Sequence, residues 1–221
     1  MEIWLDTADL DLIQQARLMG IVYGVTTNPS IVAKSKQGLE ELLEKILEMQ
    51  NGPVTAQVTA NEASKMIEQG EALFNFSNRM IVKIPVTTEG YKAIHALSEK
   101  KIPTMATAVF HPNQVLLAAS SGSTYIAPYF SHICEADMDG IQILKAMLHL
   151  LERYKFPAKL IAASLKSGEQ VRECMDMGTH AVTLNKEVFA SFIADHPQTK
   201  KSVDRFANDW KTAKARRSLP F

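Results

Sequence analysis

The sequence predicts an α/β fold: a single-domain, closed (β/α)8 TIM-type barrel with one surplus C-terminal helix. Three observations lead there. Strand and helix signals alternate eight times from end to end, at the spacing of right-handed crossovers between parallel strands. The strand segments include near-continuous apolar runs such as Met80-Ile81-Val82, as expected where both faces are covered. The first turn, Asp6-Thr7-Ala8-Asp9, has none of the glycines of a phosphate-binding turn, which argues against a doubly wound open sheet. The chain's 221 residues lie near the low end of the barrel size range.

Taken in order, a strand over 2–5 ends at Asp6-Thr7, and Thr7 or Asp9 caps a helix reaching Met19. A strand over 21–26 leads into the loop Thr27-Asn28-Pro29-Ser30. A helix follows over 40–49, with apolar residues at helical spacing and carboxylates between them. The third unit is a strand over 54–58 and a helix over 61–76. The fourth is the strand around Lys83, closed by Pro85, which cannot donate to a ladder, with a helix from Thr87 or Thr88 to Lys100. The remaining pairs are 102–109 with 112–120, 124–128 with 141–154, 159–163 with 168–177, and 181–184 with 187–193. The connection from Tyr129 to Gly140 is expected to be a long structureless loop.

A ninth helix spans about 200–215, with Val203, Phe206 and Trp210 along one side. Eight helices suffice for the barrel, so this stripe must cover something else: the barrel's bottom or flank, or a neighbouring subunit, which is the preferred reading. We therefore divide the chain into a barrel catalytic domain, 1–198, and a C-terminal helix and tail, 199–221.

Composition narrows the function. The chain is 46% hydrophobic and 22% charged, with 24 basic and 24 acidic side chains, so no domain-wide basic field suits a nucleic acid. The basic tail from Lys211 to Arg217 reads as a solvated helix end. Cys134 and Cys174 match no metal or redox spacing and read as reduced cytoplasmic thiols. No apolar run approaches the roughly 18 residues of a membrane span, and the N-terminus reads as a strand rather than a signal peptide. Clustered His or carboxylate metal ligands are absent, so neither metal nor cofactor is expected.

Lys83 stands out. Lysine is rarely buried, and desolvation favours its neutral amine, which can attack a carbonyl and form a Schiff base. The structural alternative is a stem on the barrel wall whose head reaches water or a carboxylate. Chemistry in such a barrel sits at the C-terminal strand ends. Those ends carry Asp6, Thr26 with Asn28, Gln57, Lys83, Thr107, Tyr129, Ser164 and Asn185. Singly, Asp6, Thr26 and Ser164 could be caps or turn residues, but Gln57 and Tyr129 are poor caps. As a set they suit amine catalysis on hydroxyl-rich substrates. Gln57, Thr107 and Tyr129 could hold a water near the imine, while Asp6, Asn28 and Ser164 could bind polyol hydroxyls.

The segments Gly24-Val25-Thr26-Thr27-Asn28-Pro29-Ser30, Val82-Lys83-Ile84-Pro85-Val86-Thr87 and Ala162-Ala163-Ser164, with Asp6-Thr7, resemble the small transaldolase family over nearly the whole chain. Two branches differ at the third and sixth strand ends: Glu and Phe in transaldolases, Gln and Tyr in fructose-6-phosphate aldolases. Gln57 and Tyr129 are similar to the second, as is Ala106-Thr107-Ala108-Val109.

The resemblance implies a class I aldolase with Lys83 as the Schiff-base residue and Gln57, Thr107 and Tyr129 serving the catalytic water. It would join or cleave dihydroxyacetone or hydroxyacetone and an aldehyde such as glyceraldehyde 3-phosphate. The alternative is a transaldolase moving a dihydroxyacetone unit between sugar phosphates. The resemblance also implies a homo-oligomer, a pentamer or decamer, whose last helix packs on a neighbour. One departure is notable: where both branches place a phosphate-binding Arg, this chain has His132, so phosphate binding should weaken unless Lys166 compensates.

Overall fold

The computed structural model describes residues 1–136 and 139–212. Eight parallel strands close into a barrel in chain order: β1 (Glu2–Asp6), β2 (Gly24–Thr26), β3 (Val54–Gln57), β4 (Met80–Pro85), β5 (Thr104–Val109), β6 (Tyr125–Pro128), β7 (Lys159–Ala162) and β8 (Ala181–Leu184). The helices are α1 (Leu10–Met19), α2 (Pro29–Ser35), α3 (Leu39–Met49), α4 (Ala63–Phe76), α5 (Thr88–Glu99), α6 (Pro112–Ser120), α7 (Phe130–Glu135), α8 (Gly140–Arg153), α9 (Gly168–Asp176), α10 (Lys186–Phe192) and α11 (Pro197–Thr212).

Alternation along each strand divides the apolar residues into two cores. Outward positions such as Val82, Ile84, Ile126, Leu160 and Val182 pack under the helices. Trp4, Ile81, Met105, Tyr125, Ala127, Ile161, Ala163 and Ala181 fill the barrel interior. Trp4 forms part of the floor and dictates its neighbour: a Cβ on Gly24 would lie 2.7 Å from the Trp4 ring and 2.6 Å from the Pro53 carbonyl oxygen. Glu2 ties the floor together, accepting from Trp4 Nε1 at 3.1 Å, Tyr125 Oη at 3.0 Å and Lys159 Nζ at 2.5 Å.

Two expectations are corrected. The stretch from Tyr129 to Gly140 is not structureless, because α7 begins one residue after Tyr129 and seats Phe130 and Ile133 in the outer core. The second strand starts at Gly24, not Ile21, and its loop passes into a further short helix, α2. None of the residues of the surplus helix α11 is buried. Residues 213–217 of the basic tail lie outside the described residues.

Candidate active site

Strand parity sends Lys83 inward with Ile81, into the upper half of the barrel. It is only 3% exposed. Its amine donates to the Thr27 carbonyl at 3.4 Å. Burial pushes its pKa down from the usual 10.5, and the Asp6 carboxylate opposes this in part. The partners that would hold an ammonium are therefore weak: one long hydrogen bond and a carboxylate acting at a distance.

Four strands frame this amine. Gln57 is the register partner of Lys83 on β3, so its side chain stands on the same side of the sheet. No hydrogen bond among the described residues engages its carboxamide. Asp6 ends β1 and accepts at Oδ1 from Thr26 Oγ1 at 2.7 Å. Thr26 is fully buried and also touches Thr183 Oγ1 of β8 at 2.7 Å.

Thr107 and Tyr129 complete the wall. Their hydroxyl oxygens lie 3.1 Å apart, so either can donate to the other. A break in register between β5 and β6, spanning Ala106 to Val109, puts Ala108 in the left-handed region at φ 57°. This bulge accompanies the Thr107–Tyr129 pairing, and such irregularities concentrate at functional sites. The Tyr129 ring is held edge-on by Phe110, with centroids 5.6 Å apart.

The remaining expected residues occupy the rim. Ser164 adopts φ 60° and its Oγ lies 2.9 Å from His132 Nδ1, so the exposed imidazole is braced across the tops of β6 and β7. The Tyr129 and His132 rings are 5.7 Å apart. Asn28 spends Oδ1 on capping α2, accepting from the Ile31 N–H at 3.0 Å. With Asp6 it lines an open cavity of about 550 Å3 that also includes Lys34, Asn185 and Lys186. Lys166 is not gathered in: its amide N–H donates to Gln170 Oε1 at 2.8 Å and its side chain is exposed. Among the described residues, no three His, Cys, Asp or Glu side chains converge as a metal site.

A desolvated amine, a carboxylate, a carboxamide and two hydroxyls stand at the upper end of the barrel, a set of groups that suits proton transfers around a carbonyl adduct. The comparisons bear on which chemistry uses it. Residues 3–218 match the sequence profile of the family described as Transaldolase/Fructose-6-phosphate aldolase. The chain belongs to this family. A probable transaldolase of Thermoanaerobacter sp. (strain X514) is 34% identical over 213 residues, covering 96% of this chain and 98% of that one. Probable transaldolase 1 of Listeria monocytogenes serotype 4b is 36% identical over 214 residues, covering 97% and 100%.

Among solved structures, a mandelate oxidase mutant aligns with a TM-score of 0.59 over 94% of this chain and 71% of its own; at 12% identity it attests the barrel alone. Family membership makes this chain an enzyme of the aldolase/transaldolase type acting in carbohydrate metabolism. Among the described residues, no helix is long and apolar enough to cross a membrane.

Reading only strand ends missed Thr183 and the Thr27 carbonyl. Thr183 carried no distinctive signal: it is the one hydroxyl in Ala181-Val182-Thr183-Leu184, and threonine is an ordinary strand residue.

Proposed function

We propose that this family member is a class I aldolase of the fructose-6-phosphate aldolase type. The observation that carries the proposal is the Lys83 amine, 3% exposed and held below its usual pKa in a barrel whose upper end also carries the Thr107–Tyr129 pair. In cleavage, neutral Lys83 adds to the ketose carbonyl and water departs, leaving an iminium ion. The adjacent C–C bond then breaks; its electrons pass into the iminium to give an enamine, and the hydroxyl proton of the departing aldehyde goes to a base. The enamine carbon is protonated, and water returns to release dihydroxyacetone or hydroxyacetone. Tyr129, Thr107 and Gln57 hold the water that relays these protons, and Asp6, Thr26, Asn28 and Ser164 hold substrate hydroxyls.

At the rim, His132 offers one ring nitrogen beyond its contact with Ser164, not a bidentate guanidinium fork, and Lys166 is exposed. Unphosphorylated acceptors should therefore compete well with glyceraldehyde 3-phosphate. The free thiols Cys134 and Cys174 suit a reducing cytoplasm. We also propose that copies of this chain associate through α11.

Borohydride with dihydroxyacetone should add mass on Lys83 and none in Lys83→Met; a wild-type protein that remains unmodified would refute the aldolase. Transaldolase is the second reading, favoured by the relatives' names. It predicts little free cleavage of fructose 6-phosphate and fast transfer to erythrose 4-phosphate. Because Phe cannot relay a proton, Tyr129→Phe should move the balance towards transfer; an unchanged ratio would remove Tyr129 from the water site.

A further inference from the structure

We propose that Thr183 is a positioning residue for Asp6, acting through the hydroxyl of Thr26. The inference rests on the Schiff-base reading of Lys83 and adds a residue that this reading does not require.

The argument counts hydrogens. Thr26 Oγ1 has three oxygen neighbours: Asp6 Oδ1 at 2.7 Å, Thr183 Oγ1 at 2.7 Å and the Leu5 carbonyl at 3.4 Å. A hydroxyl has one proton to give. A carboxylate at 2.7 Å outcompetes a carbonyl at 3.4 Å, because hydrogen bonds to charged acceptors are shorter and stronger. The Thr26 proton therefore points at Asp6, and the contact with Thr183 has to use the Thr183 proton. While Asp6 is a carboxylate, the order Thr183→Thr26→Asp6 is the one arrangement that satisfies all three groups.

Two consequences follow for the site. Oδ1 of Asp6 is engaged, and no hydrogen bond among the described residues ends on Oδ2, so Oδ2 is the oxygen left to accept from a substrate hydroxyl. The chain also fixes the carboxylate's rotation, since Thr26 is fully buried and Thr183 is 3% exposed. Thr183 Oγ1 makes no other hydrogen bond among the described residues. Without it, the Thr26 hydroxyl keeps Asp6 as its better acceptor but loses the donor that pins its own position and polarises its proton. Each link polarises the next, so the outer hydroxyl strengthens the inner bond.

The test measures the rate of borohydride-trapped adduct formation on Lys83 with dihydroxyacetone. Thr183→Val removes the hydroxyl at constant shape and should slow trapping roughly threefold to tenfold, the worth of one hydrogen bond. Thr183→Ala is the second hydroxyl-free variant should Val not fold, and melting temperatures report folding for each. Thr183→Ser should restore the wild-type rate. In an Asp6→Ala background Thr183→Val should slow trapping no further, whereas a merely structural role would cost the same factor again. A wild-type protein that traps no donor overturns the Schiff-base reading itself. Trapping by wild type with Thr183→Val equally fast, with Thr183→Ser as slow as Val, or with full additivity on Asp6→Ala, overturns the role of Thr183 alone.

Discussion

At the residue scale, the site's central group works against the fold. In the unfolded chain Lys83 keeps its proton up to about its usual 10.5; in the folded chain burial makes it release the proton at lower pH. Between the two values the unfolded state binds more protons, so stability rises with pH across that window, and the cost is complete below it. Lys83→Met should consequently melt higher than wild type at neutral pH while forming no adduct. The gain should be a few degrees, since each kcal/mol is worth about 2–4 °C in a chain of this size. The advantage should shrink as pH approaches 10.5, and calorimetry of both proteins from pH 6 to 10 would show it. A variant that melts below wild type at pH 7 would mean the lysine is structurally satisfied. Lys83 was legible in the sequence because a lone cation inside an apolar run is conspicuous. Thr183 was not, because a threonine is an ordinary β-strand residue and its partner lies 157 positions away along the chain.

At the element scale, the eight strands were legible because buried parallel strands are written as short apolar runs. The two short helices α2 and α7 were not, since six or seven residues carry too few turns to show a period. The bulge in β5 was also invisible: Ala106-Thr107-Ala108-Val109 reads as plain strand, and the register break at Ala108 depends on pairing with β6. Its left-handed φ of 57° is costly for alanine and worse for a β-branched residue. Ala108→Val should flatten the bulge, turn Thr107 away from Tyr129 and slow adduct formation by about tenfold or more, the scale of 1–3 kcal/mol of stored strain. Lys101 has the same conformation, at φ 58°, just beyond α5 and away from the amine. Lys101→Gly should instead relieve strain of about 1 kcal/mol and leave activity untouched. Equal effects of the two substitutions on activity would show that the bulge has no special part in the site.

At the scale of the whole molecule, α11 is the element the barrel does not explain. It runs for 16 residues and buries none of them. Val203, Phe206 and Trp210 are 58%, 60% and 42% exposed, along one side of the helix. An isolated helix of this length is marginal in water, and most helical stability comes from packing an apolar face. No residue of α11 is buried in the described protomer, so we propose that the exposed Val203 and Phe206 meet a surface outside it. A second copy of the chain is always at hand, and closed homo-oligomers are the commonest way of covering such a face. Phe206→Glu places a charge in the middle of the stripe without touching the barrel. Light scattering behind a sizing column should find wild type at a multiple of 24.5 kDa and Phe206→Glu shifted towards the protomer mass. Circular dichroism of the dissociated variant should lose helix content of the order of α11, while adduct formation on Lys83 continues if each barrel carries a complete site. Wild type running at 24.5 kDa across the micromolar range would show that α11 stands without a partner subunit.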